Sequence, residues 1–203
     1  NPEGGYAAVR GLYTYERSSS VKPKALGWFI DLRNFNLPVA IQKLEEMPFP
    51  GVILRPLNWL KLGRGTFTQE MADENTAILK AVEFQRFKHN LMYVTLTGTN
   101  RPTLRATGFF EDWTEVLASY GRYARMAKEV GFEGIWLDVE NYGGKDAPHV
   151  SYSDYRDKGK TFEEFERQVR LRGRQMMTAI LSEFPDVKII TAHGLGVGTQ
   201  GGY

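Results

Sequence analysis

The sequence predicts an α/β fold: a parallel (β/α) repeat of TIM-barrel type, incomplete, with about five βα units in 203 residues. Three observations carry this. Short, nearly all-apolar runs of strand length alternate with longer stretches of helical period. The segment EEMPFPGVILRP (Glu45–Pro56) lines up with KEVGFEGIWLDV (Lys128–Val139), each a helix end, a turn carrying Phe, a Gly and a buried strand. The first strand runs into DLRNFNLP, with no glycine. An open, doubly wound sheet usually places a glycine-rich phosphate loop there.

Residues 1–24, with Gly4, Gly5, Pro2, Pro23 and three successive serines, read as an irregular N-terminal segment. Residues 25–203 read as the barrel-type domain. Its strands are expected at Leu26–Leu32, Gly51–Pro56, Leu91–Leu96, Gly134–Val139 and Val187–Ala192. Their apolar character suits strands buried on both faces. Asn36 can cap a first helix, with Pro38 in its first turn and Pro48 as its stop. Thr68 can open a second helix that ends near Phe87. Trp113, Val116, Leu117, Tyr120, Ala124, Ala127 and Val130 fall at helical spacing, and Gly131 suits the left-handed cap behind them. Thr161 and Glu164 form a capping box before a long helix that stops at Pro185.

Gly51 and Gly134 are 83 residues apart. Two βα units fill that interval, so eight units would need about 330 residues, against ~250 for a usual barrel. Five units leave open sheet edges. The missing strands are expected beyond Tyr203, or another chain covers the edges. The start at Asn1 and the glycine-rich GLGVGTQGGY end read as cuts, so the domain is expected to be truncated at its C-terminus.

Lys and Arg number 26 and Asp and Glu 24, a net charge of +2. That balance argues against a dedicated nucleic-acid or membrane-surface binder. With no cysteine, disulfides, thiolate metal sites and a cysteine nucleophile are excluded. Three scattered histidines make no ligand spacing, and no metal or cofactor is expected.

In a barrel, chemistry sits at the C-terminal ends of the strands. Those positions hold Asp31 and Arg33, then Arg55, Asn58 and Trp59, then Thr97, Thr99, Asn100 and Arg101, then Asp138, Glu140, Asn141 and Tyr142, and last His193. The strongest signal is FEGIWLDVENY, Phe132–Tyr142. Side chains alternate along a strand, so Asp138 and Glu140 point the same way. Two carboxylates so close cannot easily both ionise, which raises one pKa. A carboxylic acid kept protonated near neutral pH can protonate a glycosidic oxygen. Aromatic residues reach 13%, and flat rings stack on the apolar faces of pyranoses. Trp28, Trp113 and Trp136 fall inside strand or helix patterns and read as core. Trp59, Tyr142, Tyr152 and Tyr155 fall in loops and read as either packing or sugar contacts. His89 reads as structural, and the basic run RQVRLRGR (Arg167–Arg174) as a solvated helix face paired with Glu163, Glu164 and Glu166.

FEGIWLDVE resembles the fourth-strand motif of the family 18 glycoside hydrolases. The resemblance implies that Glu140 is the general acid and Asp138 its helper. The chain departs from the motif in two places. Trp136 stands where the family has its first inner Asp, and Glu133 where it usually has Asp before the Gly. The stretch from Glu111 to Gly144 also resembles uncharacterised bacterial TIM-barrel proteins grouped with glycoside hydrolases.

The expected function is therefore a glycoside hydrolase acting on an oligo- or polysaccharide, extracellular or periplasmic. Glu140, Asp138 and Asp31 are its candidate catalytic residues. Tyr142, Asn141, Asn58, Trp59, Asn100 and His193 are its candidate substrate contacts. The alternative is a non-catalytic carbohydrate-binding or assembly protein on a barrel-like scaffold. A phosphate-binding barrel enzyme rests only on the glycine-rich tail.

Overall fold

A computed structural model describes residues 29–31, 37–95, 107–138 and 152–192. Among them, β1 (Phe29–Asp31), β2 (Ile53–Arg55), β3 (Leu91–Thr95), β4 (Gly134–Asp138) and β5 (Lys188–Ala192) form one sheet in that spatial order. All four pairings are parallel. Each strand lies inside the run that its apolar composition marked. The expected irregular segment 1–24 lies outside the described residues.

The connections are α1 (Leu37–Leu44), α2 (Gln69–Lys80), α3 (Thr114–Glu129), a short α4 (Ser153–Arg156) and α5 (Phe162–Glu183). Sequential strand order with right-handed crossovers places every crossover helix on one side of the sheet. The packing obeys this. Ile41, Leu79, Tyr120 and Ile180 from the four longer helices share one core with Val52, Leu54, Met92, Val94, Ile135 and Leu137 of the strands. The alternate strand residues Ile53, Leu91 and Tyr93 form a second cluster on the opposite face, with Trp59 and Trp136. A doubly wound sheet needs a reversal of strand order, and the described strands show none. Nor do they close: β1 and β5 each have one neighbour among the described strands.

Two hydroxyls bind α3 to the sheet. Tyr120 donates to the carbonyl of Thr95 at 3.2 Å, and Tyr123 donates to the carbonyl of Tyr93. Both rings are fully buried. α3 packs against α5 at Gly121, where a Cβ would stand in ordinary contact with the Ala179 carbonyl at 3.6 Å. The Thr161 hydroxyl and Glu164 carboxylate satisfy each other's backbone amides, completing the expected capping box of α5. Thr68 caps α2, and Gly131 takes the left-handed conformation behind α3 (φ +75°).

The two glycines of the internal repeat have one physical reason. A side chain at Gly51 would collide with the carbonyl of His89, and one at Gly134 with the carbonyl of Lys188. Each glycine lets its strand start hard against the start of the next.

Three local expectations need correction. α1 ends at Leu44, four residues before Pro48. α2 ends at Lys80, not near Phe87. The amides of Arg86 and Phe87 donate to the Glu45 carboxylate at 2.8 and 2.9 Å, and those of Lys88 and His89 to the Pro50 carbonyl. This segment satisfies its donors on the preceding unit, so nothing holds it helical. Tyr152 and Tyr155 belong to α4 and its cap, not to an open loop. None of the described helices is long and apolar enough to cross a membrane.

Candidate functional site

The face opposite the described α-helices carries a polar and aromatic cluster at the C-terminal end of the sheet. Asp31 pairs in register with Arg55, Tyr93 with Trp136, and Thr95 with Asp138. Strand alternation puts Arg55, Tyr93 and Asp138 on the face away from the helices. Asp138 is 4% exposed, and its Oδ2 accepts a 2.5 Å hydrogen bond from the Tyr93 hydroxyl. Burial pushes that phenol well above its ordinary range, and the bond to Asp138 pushes the same way. Tyr93 therefore stays protonated and remains a donor.

Arg55 completes the cluster. Its guanidinium carbon lies 4.7 Å from the centre of the Trp59 ring and 4.5 Å from that of Tyr93. The two rings meet edge to face at 5.0 Å and 85°. Guanidinium–aromatic contacts at this range are attractive and hold the cation in one plane. The turn after β2 delivers Trp59 to this position. Asn58 adopts a left-handed backbone (φ 60°), which asparagine tolerates better than most residues. A 3₁₀ helix follows over Trp59–Arg64. The Nε1 donor of Trp59 is buried and has no acceptor among the described residues.

The expected site residues divide accordingly. Asp138 and Trp59 are brought to one cluster. Asp31 stands on its register row, beside Arg55. Asn58 serves first as the turn that aims Trp59. Glu140, Asn141, Tyr142, Asn100 and His193 lie outside the described residues, so the expected Asp138–Glu140 pair does too. Sequence reasoning missed Tyr93. The available signal was alternation: Tyr93 lies two residues before Thr95, on the same strand face.

Two other loop candidates are structural. Tyr155 is 4% exposed, and its hydroxyl accepts the amide of Phe109 at 2.8 Å. Tyr152 donates to the Lys160 carbonyl at 3.2 Å. Trp113 is core, as expected, and its indole donates to the Gly108 carbonyl at 3.0 Å. Trp136, expected as core, is half-buried on the face opposite the described α-helices.

At the opposite end of the sheet, Glu133 joins β3 to β5. His89 Nδ1 lies 2.8 Å from its Oε1, and Lys188 donates to its Oε2 at 2.9 Å. Burial alone would raise the Glu133 pKa, but these two partners outweigh it and hold the carboxyl below its usual range. The ion pairing crosses the N-terminal strand ends, so it locks the sheet, in agreement with the structural reading of His89. No group of three metal-ligating side chains occurs among the described residues.

What the sheet end offers is a buried, hydrogen-bonded carboxylate beside a guanidinium held against two rings that meet edge to face. Such a surface can contact an apolar ring face while presenting donors and an acceptor at its border. No family model matches this chain, and no curated protein or solved structure matches it either.

Proposed function

We propose that the protein is a carbohydrate-active member of the TIM-barrel class, and a glycoside hydrolase in which Glu140 is the general acid/base and Asp138 its helper. The observation that supports this best is the Tyr93–Asp138 hydrogen bond beside Arg55 and Trp59. It stands at the C-terminal end of a sequentially ordered parallel sheet, where barrel enzymes keep their chemistry. A carboxylate this buried, with one oxygen already engaged, suits a supporting role. The proton donor is then Glu140, the acid two residues further along the chain. Trp59 and Arg55 would bind the sugar ring and its hydroxyls.

Glu140→Gln preserves shape and removes the proton donor. Hydrolysis of an unactivated glycoside should fall by about 10²–10⁴-fold while binding survives. Substrates with good leaving groups should suffer less. Turnover left intact by Glu140→Gln on every polysaccharide that the parent cleaves would sink the catalytic reading. The second reading, a non-catalytic carbohydrate binder, is favoured by Trp136 standing on the sheet face of Tyr93, at the position where the resembling family has an acid. It predicts sugar binding that depends on Trp59 and no hydrolysis by any variant.

A further inference from the structure

A second feature lies on the outer wall. The surface of α5 carries an open groove of about 450 Å³, lined by Arg167, Arg170, Arg174, Leu171, Phe110 and others. The Lys160 ammonium lies 5.0 Å from the centre of the Phe110 ring, at the groove's border. Four cations thus surround it. Two carboxylates oppose them: Glu166 pairs with Arg170 at 2.6 Å, and Glu164 has its pKa lowered first by the bond from the Thr161 amide and then by Lys160 and Arg167. Among these described groups the cations outnumber the carboxylates. Arg174 is exposed and forms no ion pair among the described residues.

The remaining arginine of the run does something else. Arg172 turns inward, donating to the carbonyls of Phe109 at 2.9 Å and Glu111 at 2.5 Å. Its guanidinium covers Trp113 at 5.3 Å. It therefore anchors the groove's floor to α5 and leaves Arg167, Arg170 and Arg174 pointing outward on one helix face. At ~1.5 Å rise per residue these span about 10 Å, the length of two sugar rings.

Topology relates this groove to the candidate site. β4 ends at Asp138, and α5 runs back toward the start of β5, so the N-terminal half of α5 stands at the same end of the sheet as the site. We propose that the groove binds an anionic polysaccharide, one bearing uronate or sulfate groups, as it extends beyond the sheet end. This rests on the carbohydrate reading above and names its substrate class. A row of guanidinium groups matches a repeating anion, and arginine pairs bidentately with carboxylate and sulfate. The groove's two apolar members, Phe110 and Leu171, supply little of the aromatic anchoring that centres a protein interface.

The test measures binding of the whole chain to a galacturonate decamer, a neutral galactan oligomer of equal length and a polyglutamate peptide of equal charge. The galacturonate decamer should bind, and rising salt should weaken it. Arg167→Ala/Arg174→Ala should lose about tenfold in affinity, and Arg167→Glu/Arg174→Glu should abolish binding. All four substitutions are on exposed positions, and circular dichroism checks that the fold survives. Equal affinity of parent and Arg167→Ala/Arg174→Ala overturns the proposal. So does tighter binding of polyglutamate, which would make the groove a protein-docking surface. Sugar binding lost in Trp59→Ala but unchanged in the arginine variants removes the groove and leaves the sheet-end reading standing. The reverse pattern keeps the groove and removes the sheet-end reading.

Discussion

Tyr93 and Asp138, 45 residues apart, join β3 to β4 through a 2.5 Å hydrogen bond on the face away from the described α-helices. Tyr93→Phe removes this donor from a carboxylate that is 4% exposed. The loss should cost about 1–3 kcal/mol, because the group stays desolvated. The urea midpoint should fall with an unchanged m value. An unaltered midpoint would show that the bond adds nothing to stability.

Alkaline pH should unfold the protein through its buried phenols. Burial raises the pKa of Tyr120 and Tyr123, and burial with the Asp138 bond raises that of Tyr93. The folded state thus holds protons that the unfolded chain releases near pH 10. Their contribution is complete below about pH 10 and is lost as pH rises above it. Phenolate absorbance should show these three rings ionising only with unfolding. Ionisation in the native state near pH 10 would contradict their placement.

Glu133 sets the acid side. Its folded pKa is lowered by Lys188 and His89 against the pull of burial. Its contribution is present above the ordinary carboxylate range and declines as pH falls through the lowered value. Glu133→Gln should cost about 1 kcal/mol or less at neutral pH, the range of partly exposed ion pairs. The difference between variant and parent should vanish in acid. A difference that persists there would assign the effect to packing.

The repeat glycines should be intolerant of substitution. Gly51→Ala and Gly134→Ala each place a methyl against a backbone carbonyl of the next unit. Either should cost about 4 kcal/mol or more and yield little soluble protein. Gly131→Ala meets nothing within 4 Å but sits at φ +75°, so it should cost only about 1 kcal/mol. Thermal melting orders the three, and a Gly131→Ala protein less stable than Gly134→Ala would reverse the argument.

Much of the fold is legible because its determinants are local. All-apolar strand runs mark strands covered on both faces, and Thr161, Thr68 and Gly131 act on backbone groups within a few residues. The helix boundary near Phe87 was not legible, because Glu45 satisfies those amides from 41 residues away. Tyr155 was misread for a related reason: its partner Phe109 lies 46 residues off.

By itself the sequence determined the α/β class, the five strands, the repeat that aligns Gly51 with Gly134 and the placing of Asp138 at a strand end. Period and turn chemistry are written in consecutive residues, so no partner need be known to read them. Tertiary structure alone decided that Tyr93 meets Asp138, that Arg55 lies against Trp59 and Tyr93, and that Arg172 turns inward while its neighbours face outward. Those are choices of partner across the sheet or between elements. They depend on strand register and helix placement, which set distances between residues tens of positions apart and leave no periodic trace along the chain.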